Sequence, residues 1–333
     1  MRNLTTFLAP RAALPLAGLV LAALAALAGC GSPTTPAATT PGANTGSDAA
    51  APSHQPIPTT QVDWKPVTDI LGRTGSFGDN NTVYRIPLPR SDLHVVSDGT
   101  AIKPGLALGG YAAMARYDDG TMLMGDLVVT EAELPKVTDA LQAHGIDQTA
   151  LHKHLLEQSP PVWWTHVHAM GDPTQLAQGL RAALDATAIP MPAAAPATQP
   201  ALDLDTASIN QALGRTGTAD GGIYKFTIAR ADTITDDGHL VPATFGVTTG
   251  INFQPTCGGK AAINGDFAMT GPEVQKVIQA LRAGHISIVE VHNHSLTDQP
   301  RLFYAHFWAV DDAVTLAKAL RTAVDATNPR PAS

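Results

Sequence analysis

The run Gly125-Asp126-Leu127-Val128-Val129-Thr130-Glu131-Ala132-Glu133-Leu134 recurs as Gly265-Asp266-Phe267-Ala268-Met269-Thr270-Gly271-Pro272-Glu273-Val274. Both runs read as a strand passing into a helix. The apolar stretch Met122 to Val129 has strand character, and Thr130 with Glu133, like Thr270 with Glu273, has the threonine-to-glutamate spacing of a capping box. Leu134, Val137 and Leu141 then fall on one helical stripe, and Val274, Val277, Ile278 and Leu281 on its echo. Pro135 falls late in the first turn and is expected to distort it.

Working outward, the echo continues. Leu71-Gly72-Arg73-Thr74-Gly75 recurs as Leu213-Gly214-Arg215-Thr216-Gly217, Arg90-Ser91-Asp92 as Arg230-Ala231-Asp232, and Leu184-Asp185-Ala186-Thr187 as Val324-Asp325-Ala326-Thr327. From Arg90 onward the spacing holds at 140 residues. That is too long for a solenoid unit and fits a whole domain copied once. Val83 to Leu88 alternates like a strand, Leu108 to Tyr117 pairs with Met122 to Val129 about Asp118-Asp119-Gly120, and closing helices start near Asp172-Pro173 and Asp311-Asp312. The expected fold class is α+β: two homologous domains, each a mainly antiparallel sheet with two helices packed on it. The expected divisions are a signal peptide at 1–29, an Ala/Pro/Thr tether at 30–61, a first domain at 62–189, a linker at 190–201 and a second domain at 202–329.

Arg2 and Arg11 precede an apolar run from Ala12 to Leu27 that ends in Leu27-Ala28-Gly29-Cys30. This order of charged, apolar and small residues is that of a bacterial lipoprotein signal, with Cys30 as the lipidated residue. The run is short for a membrane span and contains Pro15, so cleavage before Cys30 is expected. Acyl chains on Cys30 would anchor the chain at a membrane surface, making the membrane its partner and the bacterial cell envelope its location. Neither Gly31 nor Ser32 is the Asp of inner-membrane retention, which favours the outer membrane in a Gram-negative cell. With Cys30 acylated, Cys257 has no partner for a disulfide, so stability rests on core burial. A net charge of −8 argues against nucleic acid as a partner.

Seven of the twelve histidines lie in two matching stretches, His152-x-His154 with His166-x-His168, and His292-x-His294 with His306-x-Trp308. Clustering of this kind calls for a chemical reason, because imidazole is the commonest protein metal ligand. Residues two apart on a strand share a face. Antiparallel pairing about Pro160 predicts His154 opposite His166 and His152 opposite His168; pairing about Pro300 predicts His294 opposite His306 and Trp308 opposite His292. The candidate ligands are therefore His152, His154, His166 and His168 in one set, and Glu290, His292, His294 and His306 in the other. Left unpaired on a buried face, each imidazole would cost roughly 1 to 3 kcal/mol. Asp126 and Asp266 end strands nearby as candidate partners orienting the histidines. Zinc or another divalent transition metal is the expected cofactor for a nitrogen-rich set, lost as pH falls below roughly 6. Trp164 and Tyr304 share the histidine face, Trp163 and Phe303 are expected against the helices, and Lys153 falls opposite its flanking histidines.

Arg90 with Asp92 and Arg230 with Asp232 read as structural ion pairs. Gly72-Arg73-Thr74-Gly75 lacks the ending of a phosphate loop, and neither a serine nucleophile elbow nor His-Glu-x-x-His is present. Leu71-Gly72-Arg73, Pro89-Arg90-Ser91-Asp92-Leu93, Lys103-Pro104-Gly105, Met124-Gly125-Asp126-Leu127, Thr149-Ala150-Leu151-His152-Lys153-His154-Leu155-Leu156 and His166-Val167-His168 together resemble the LppY/LpqO lipoproteins, whose domain has no assigned function. The resemblance covers the first domain end to end and the second more loosely. That family usually places Asn between the paired histidines, found here only as Asn293; Lys153 and Trp308 depart from its pattern. The resemblance implies an envelope lipoprotein and no reaction. Three function classes follow: a metal-binding envelope lipoprotein, a metal-free ligand-binding or structural module, and a metal-dependent hydrolase acting on an envelope substrate.

Overall fold

The computed structural model describes residues 54–191, 198 and 200–332. The expected signal peptide at 1–29, the lipidation residue Cys30 and the tether up to residue 53 lie outside the described residues.

Each copy builds one six-stranded antiparallel sheet. The order in the first is Ser76–Gly78, Val83–Pro89, Gly109–Arg116, Thr121–Thr130, Val162–Gly171 and Asp147–His152. The second repeats it with Thr218–Asp220, Ile223–Ile228, Thr249–Pro255, Lys260–Thr270, Leu302–Asp312 and Ser287–His292. Three helices per copy cover one sheet face: Lys65–Leu71, Leu134–Ala143 and Pro173–Asp185, then Thr206–Leu213, Gly271–Ala283 and Ala313–Asp325. The α+β class is as expected, with a third short helix joining the two foreseen in each layer. Val137, Leu141, Leu180 and Leu184 pack on Ile86, Leu127 and Val167. Val277, Leu281, Leu316 and Leu320 do the same on Phe226, Phe267 and Phe307.

The capping box forms at Thr270 and Glu273, where helix Gly271–Ala283 begins. In the first copy the helix begins three residues later relative to its echo, at Leu134, although Glu133 still accepts from the Thr130 amide at 2.8 Å. Pro135 is the cause. A helix starting at Glu131 would require from Pro135 the amide proton it lacks, so the start moves until Pro135 falls in the first turn, where no donor is needed. Glu133 and Glu273 are also bonded to Arg90 and Arg230 at 2.7 and 2.8 Å, and these buried arginines hold Asp92 and Asp232 at 2.8 and 2.6 Å.

The opposite sheet faces meet each other. Strand Thr121–Thr130 is buried along nine of its ten residues, so neither of its sides faces water. Tyr117, Met122 and Met124 of the first copy pack with Ile234, Phe245, Leu302 and Tyr304 of the second. Val95, Leu106, Val162 and Trp164 pack in turn with Ile223, Ala262 and Trp308. The two copies therefore form one compact unit with helices outside and sheets inside.

Residues 54–61, which the sequence reading placed in the tether, pack against both copies. The Leu240 amide donates to His54 O at 2.9 Å in the second copy, and the Ile57 and Thr59 amides donate to Arg116 O and Asn81 O in the first at 2.7 and 2.9 Å. Thr59 is buried and accepts from the Trp64 indole at 2.8 Å. At the other end of the first copy, Ile189 and Pro190 carbonyls accept from Arg73, and Ile189 is buried.

Candidate metal centre

Two features of strand pairing decide where the histidines go. The edge strand Asp147–His152 pairs with Val162–Gly171 so that His152 faces Trp164 and Ala150 faces His166. The second copy has His292 facing Tyr304 and Glu290 facing His306. The expected pairings of His154 with His166, His152 with His168, His294 with His306 and His292 with Trp308 are thus corrected by four residues. The reason is the connection: Gln158–Ser159 leaves the hairpin to pair with Val96–Ser97, and Asp298–Gln299 pairs with Thr235–Asp236, so the turns are not centred on the prolines. A shift by an even number leaves every side chain on its expected face. Trp163 and Phe303 accordingly pack toward the helices, while Trp164 and Tyr304 join the histidines.

That shared face is the one buried between the copies, so the two expected sets merge. Ring centroids of His152 and His292 are 4.0 Å apart, those of His154 and His306 3.7 Å, and those of His166 and His294 3.7 Å. Exchanging the copies turns the second pair into the third, which is an approximate two-fold arrangement through the His152–His292 pair. Three such groups have ligating atoms within 4.8 Å of one another: His152, His292 and His306; His166, His292 and His294; and Asp126, His152 and His154.

Two expected ligands fall outside these groups. His168 sits 3.2 Å from Asp236 of the second copy, whose carboxylate also accepts from the Ser295 and Thr297 hydroxyls. Glu290, opposite His306 in the strand register, accepts from the Lys153 amide at 2.6 Å and belongs to none of the groups whose ligating atoms meet. Lys153 itself lies over the Trp163 ring at 4.5 Å, a cation–π contact on the face away from the histidines. Asp126 and Asp266 do join the cluster, 3.5 Å from His154 Nε2 and 3.1 Å from His294 Nε2.

Backbone carbonyls orient the rings. The Nδ1 atoms of His166 and His306 lie 3.2 and 2.8 Å from the Gly125 and Gly265 carbonyls, and His294 Nδ1 lies 2.8 Å from Gly246 O. A carbonyl only accepts, so each Nδ1 carries a proton, and on a neutral ring the lone pair is then on Nε2. The Nε2 atoms of His166, His294 and His306, both ring nitrogens of His292, and one oxygen each of Asp126 and Asp266 are buried without a hydrogen bond. Glycine at 125 permits the close strand spacing: a Cβ there would stand 2.7 Å from Tyr111 O.

Each copy positions the loop that carries the other's histidine pair. Asn264 donates to His154 O at 2.6 Å, Thr149 to His294 O at 2.6 Å, and Asn293 to Thr149 O at 3.0 Å. Trp164 stacks on His154 at 4.4 Å and Tyr304 on His294 at 3.4 Å.

Burial sets the protonation. Desolvation foremost, with the neighbouring imidazoles adding to it, holds His152, His154, His166 and His292 well below the usual histidine range, and desolvation also lowers His306. These rings are neutral at physiological pH, the form that ligates. Burial pushes the Asp126 carboxyl well up, and Asp266 pushes it further. Beside the cluster a cleft of about 420 Å³ is lined by His154, His166, His294, His306 and both aspartates, with Arg85, Tyr111 and Lys225 on its walls.

A further group escaped the sequence reading. His54, Asp119 and His239 also bring ligating atoms within 4.8 Å of one another. His239 has no histidine 140 residues earlier, where Gly99 stands, so the duplication could not flag it. The signal for the merged cluster was present: the near-continuous apolar run Met122 to Val129 marks a sheet covered on both faces.

Residues 65–186 and 207–326 each match the family model described as Domain of Unknown Function (DUF1259). No curated protein matches the chain. Among solved structures, the trimeric bacterial microcompartment shell protein PduB is 12% identical, over 77% of this chain and 96% of its own, with a TM-score of 0.21. EtuB from Clostridium kluyveri is 10% identical over 76% and 89%, with a TM-score of 0.18. EutL from Clostridium perfringens is 12% identical over 73% and 91%, with a TM-score of 0.16. Among the described residues no helix is long and apolar enough to cross a membrane.

Proposed function

We propose that this chain, which belongs to the family described as Domain of Unknown Function (DUF1259), is a lipid-anchored protein of the bacterial envelope that binds a divalent transition metal between its two copies. One observation carries the metal reading. Six imidazoles from both copies meet in a buried space, and the Nε2 atoms of His166 and His306, on rings whose Nδ1 faces a backbone carbonyl, turn into it with no hydrogen-bond partner. Unpaired buried polar groups are rare, and Nδ1 held by a carbonyl is the usual support of a metal-ligating histidine. His294 adds a second sign: its Nδ1 faces the Gly246 carbonyl, so its Nε2 and the Asp266 carboxylate, 3.1 Å apart, meet as two acceptors unless the ring takes a second proton. A cation between them removes that conflict. The nitrogen-rich donor set suits zinc, with Asp126 and Asp266 as carboxylate ligands or orienting partners.

The cleft favours one extension of this reading. His154, His166, His294 and His306 line a cleft of about 420 Å³, and an ion held by them would supply Lewis-acid activation of water beside it, the chemistry needed to hydrolyse an envelope substrate. Envelope placement is supported by the lipoprotein-like order from Arg2 to Cys30 and by the LppY/LpqO resemblance, and labelled palmitate incorporation that disappears in Cys30→Ala tests it.

Elemental analysis of the full chain, purified without chelator, tests the metal reading. The wild type is expected to carry at least one ion in the central cluster, and the double variant His166→Ala with His306→Ala to lose it while keeping its circular dichroism. A wild type and a double variant of equal metal content overturn the reading.

A further inference from the structure

We propose that His54, Asp119 and His239, with Asp118 beside them, form a second divalent-cation site that pins residues 54–61, the strap that lies across both copies. None of these residues belongs to the central cluster, so the site stands or falls separately.

The geometry places three distant parts of the chain at one point. Asp118 and Asp119 tip the turn between strands Gly109–Arg116 and Thr121–Thr130 of the first copy, His239 begins the short strand His239–Leu240 of the second, and His54 lies on the strap. His54 stacks on His239 with centroids 4.4 Å apart and planes at 19°, and Tyr117 closes the other side edge-on at 4.8 Å. His239 is buried, and its Nδ1 lies 3.2 Å from the Asp236 carbonyl. The proton therefore belongs to Nδ1, and the Nε2 lone pair looks at both oxygens of Asp119, 3.0 and 3.1 Å away. Acceptors hold that spacing only with a cation between them or a second proton on the ring. His54 brings a second ring nitrogen, Nδ1, to 2.6 Å from Asp118 and 3.8 Å from Asp119.

Two imidazoles and one or two carboxylates form a donor set of the zinc class. The His239 ring already has the backbone support typical of a ligand. Asp119 is 44% exposed and His54 28% exposed at the side chain, so water has access to complete the coordination shell and the ion can exchange. Bound there, the ion ties the strap to both copies, and through the strap the interface that holds the central histidines.

The test titrates metal-stripped full chain with Zn²⁺ alone, counting equivalents by calorimetry and following amide hydrogen exchange of residues 54–60. Wild type is expected to take up one equivalent more than His54→Gln or Asp119→Asn. At zinc about ten times its Kd, exchange of the strap should slow about tenfold in wild type and not in the variants. The His166→Ala, His306→Ala background should keep the peripheral equivalent whatever happens at the centre. Asp119 sits half exposed on a turn, so its variant folds even where substitution of buried His239 does not. Equal stoichiometry in wild type and Asp119→Asn, or strap exchange indifferent to zinc at neutral pH, overturns the proposal and leaves a proton-held ion pair.

Discussion

His166 of the first copy and His294 of the second lie with ring centroids 3.7 Å apart, each with its Nδ1 at a backbone carbonyl and its Nε2 buried. Their counterparts under exchange of the copies, His306 and His154, stand at the same 3.7 Å. The site thus belongs to the pair of copies and to neither alone.

A bound ion at this position links metal content to folding. At a free zinc concentration of about 100 times Kd the folded state gains about 2.7 kcal/mol, which for a unit of this size raises the melting temperature by roughly 5 °C. Chelation should reverse that rise in the wild type. In the His166→Ala, His306→Ala variant the central contribution should vanish, as differential scanning calorimetry with and without chelator will read.

The metal-stripped protein should weaken on acidification. In the fold His152, His154, His166 and His292 have their protonation held far below the ordinary value of 6.5. In the unfolded chain they titrate at about 6.5. Below that pH the unfolded state binds more protons, so stability present above about 6.5 is lost as pH falls. The slope approaches about 1.4 kcal/mol per pH unit for each ring that stays neutral in the fold. Denaturant midpoints between pH 7.5 and 5 measure it, and a flat profile contradicts the buried, neutral assignment.

Gly125→Ala should cost about 1 to 3 kcal/mol by forcing a methyl toward a neighbouring strand. The added Cβ would meet Tyr111 O at 2.7 Å and Val167 at 3.2 Å. Because the Gly125 carbonyl also orients His166, zinc affinity should fall together with stability. A variant with unchanged urea midpoint and unchanged affinity would show that the strands separate freely at this point.

Removing one side of the buried Arg90 pair should be strongly destabilising. Arg90 is 1% exposed at the side chain and is bonded to Glu133, Asp92 and the Val128 carbonyl. Arg90→Met leaves Glu133, also largely buried, without its cation, at a cost of about 3 to 5 kcal/mol. Metal binding per folded molecule should be unaltered, since the pair is outside the cluster. Chemical denaturation and elemental analysis of the same sample separate the two effects.

Much of this was legible before any coordinates. The duplication follows from residue identity at fixed spacing, and the α+β class from local periodicity. The helices from Val137 and Val277 onward, the strand pair about Asp118-Asp119-Gly120 and the ion pairs at Arg90 and Arg230 are local consequences of hydrophobic alternation, capping and short sequence separation. Even the face on which the histidines lie was readable, because a strand has a period of two and an error of four residues preserves it.

What the sequence by itself determined is therefore each copy's secondary structure and which side chains share a face, since both depend on neighbours along the chain. Only the tertiary structure decided that the two faces close on each other, taking His168 to Asp236 and Glu290 to Lys153 while bringing His152 against His292. The physical reason is that burial of one sheet against another is non-directional: an apolar run such as Met122 to Val129 says that both faces are covered, but not by what. Where two copies offer the same apolar face, the area removed from water sets their docking, and docking sets which imidazoles meet.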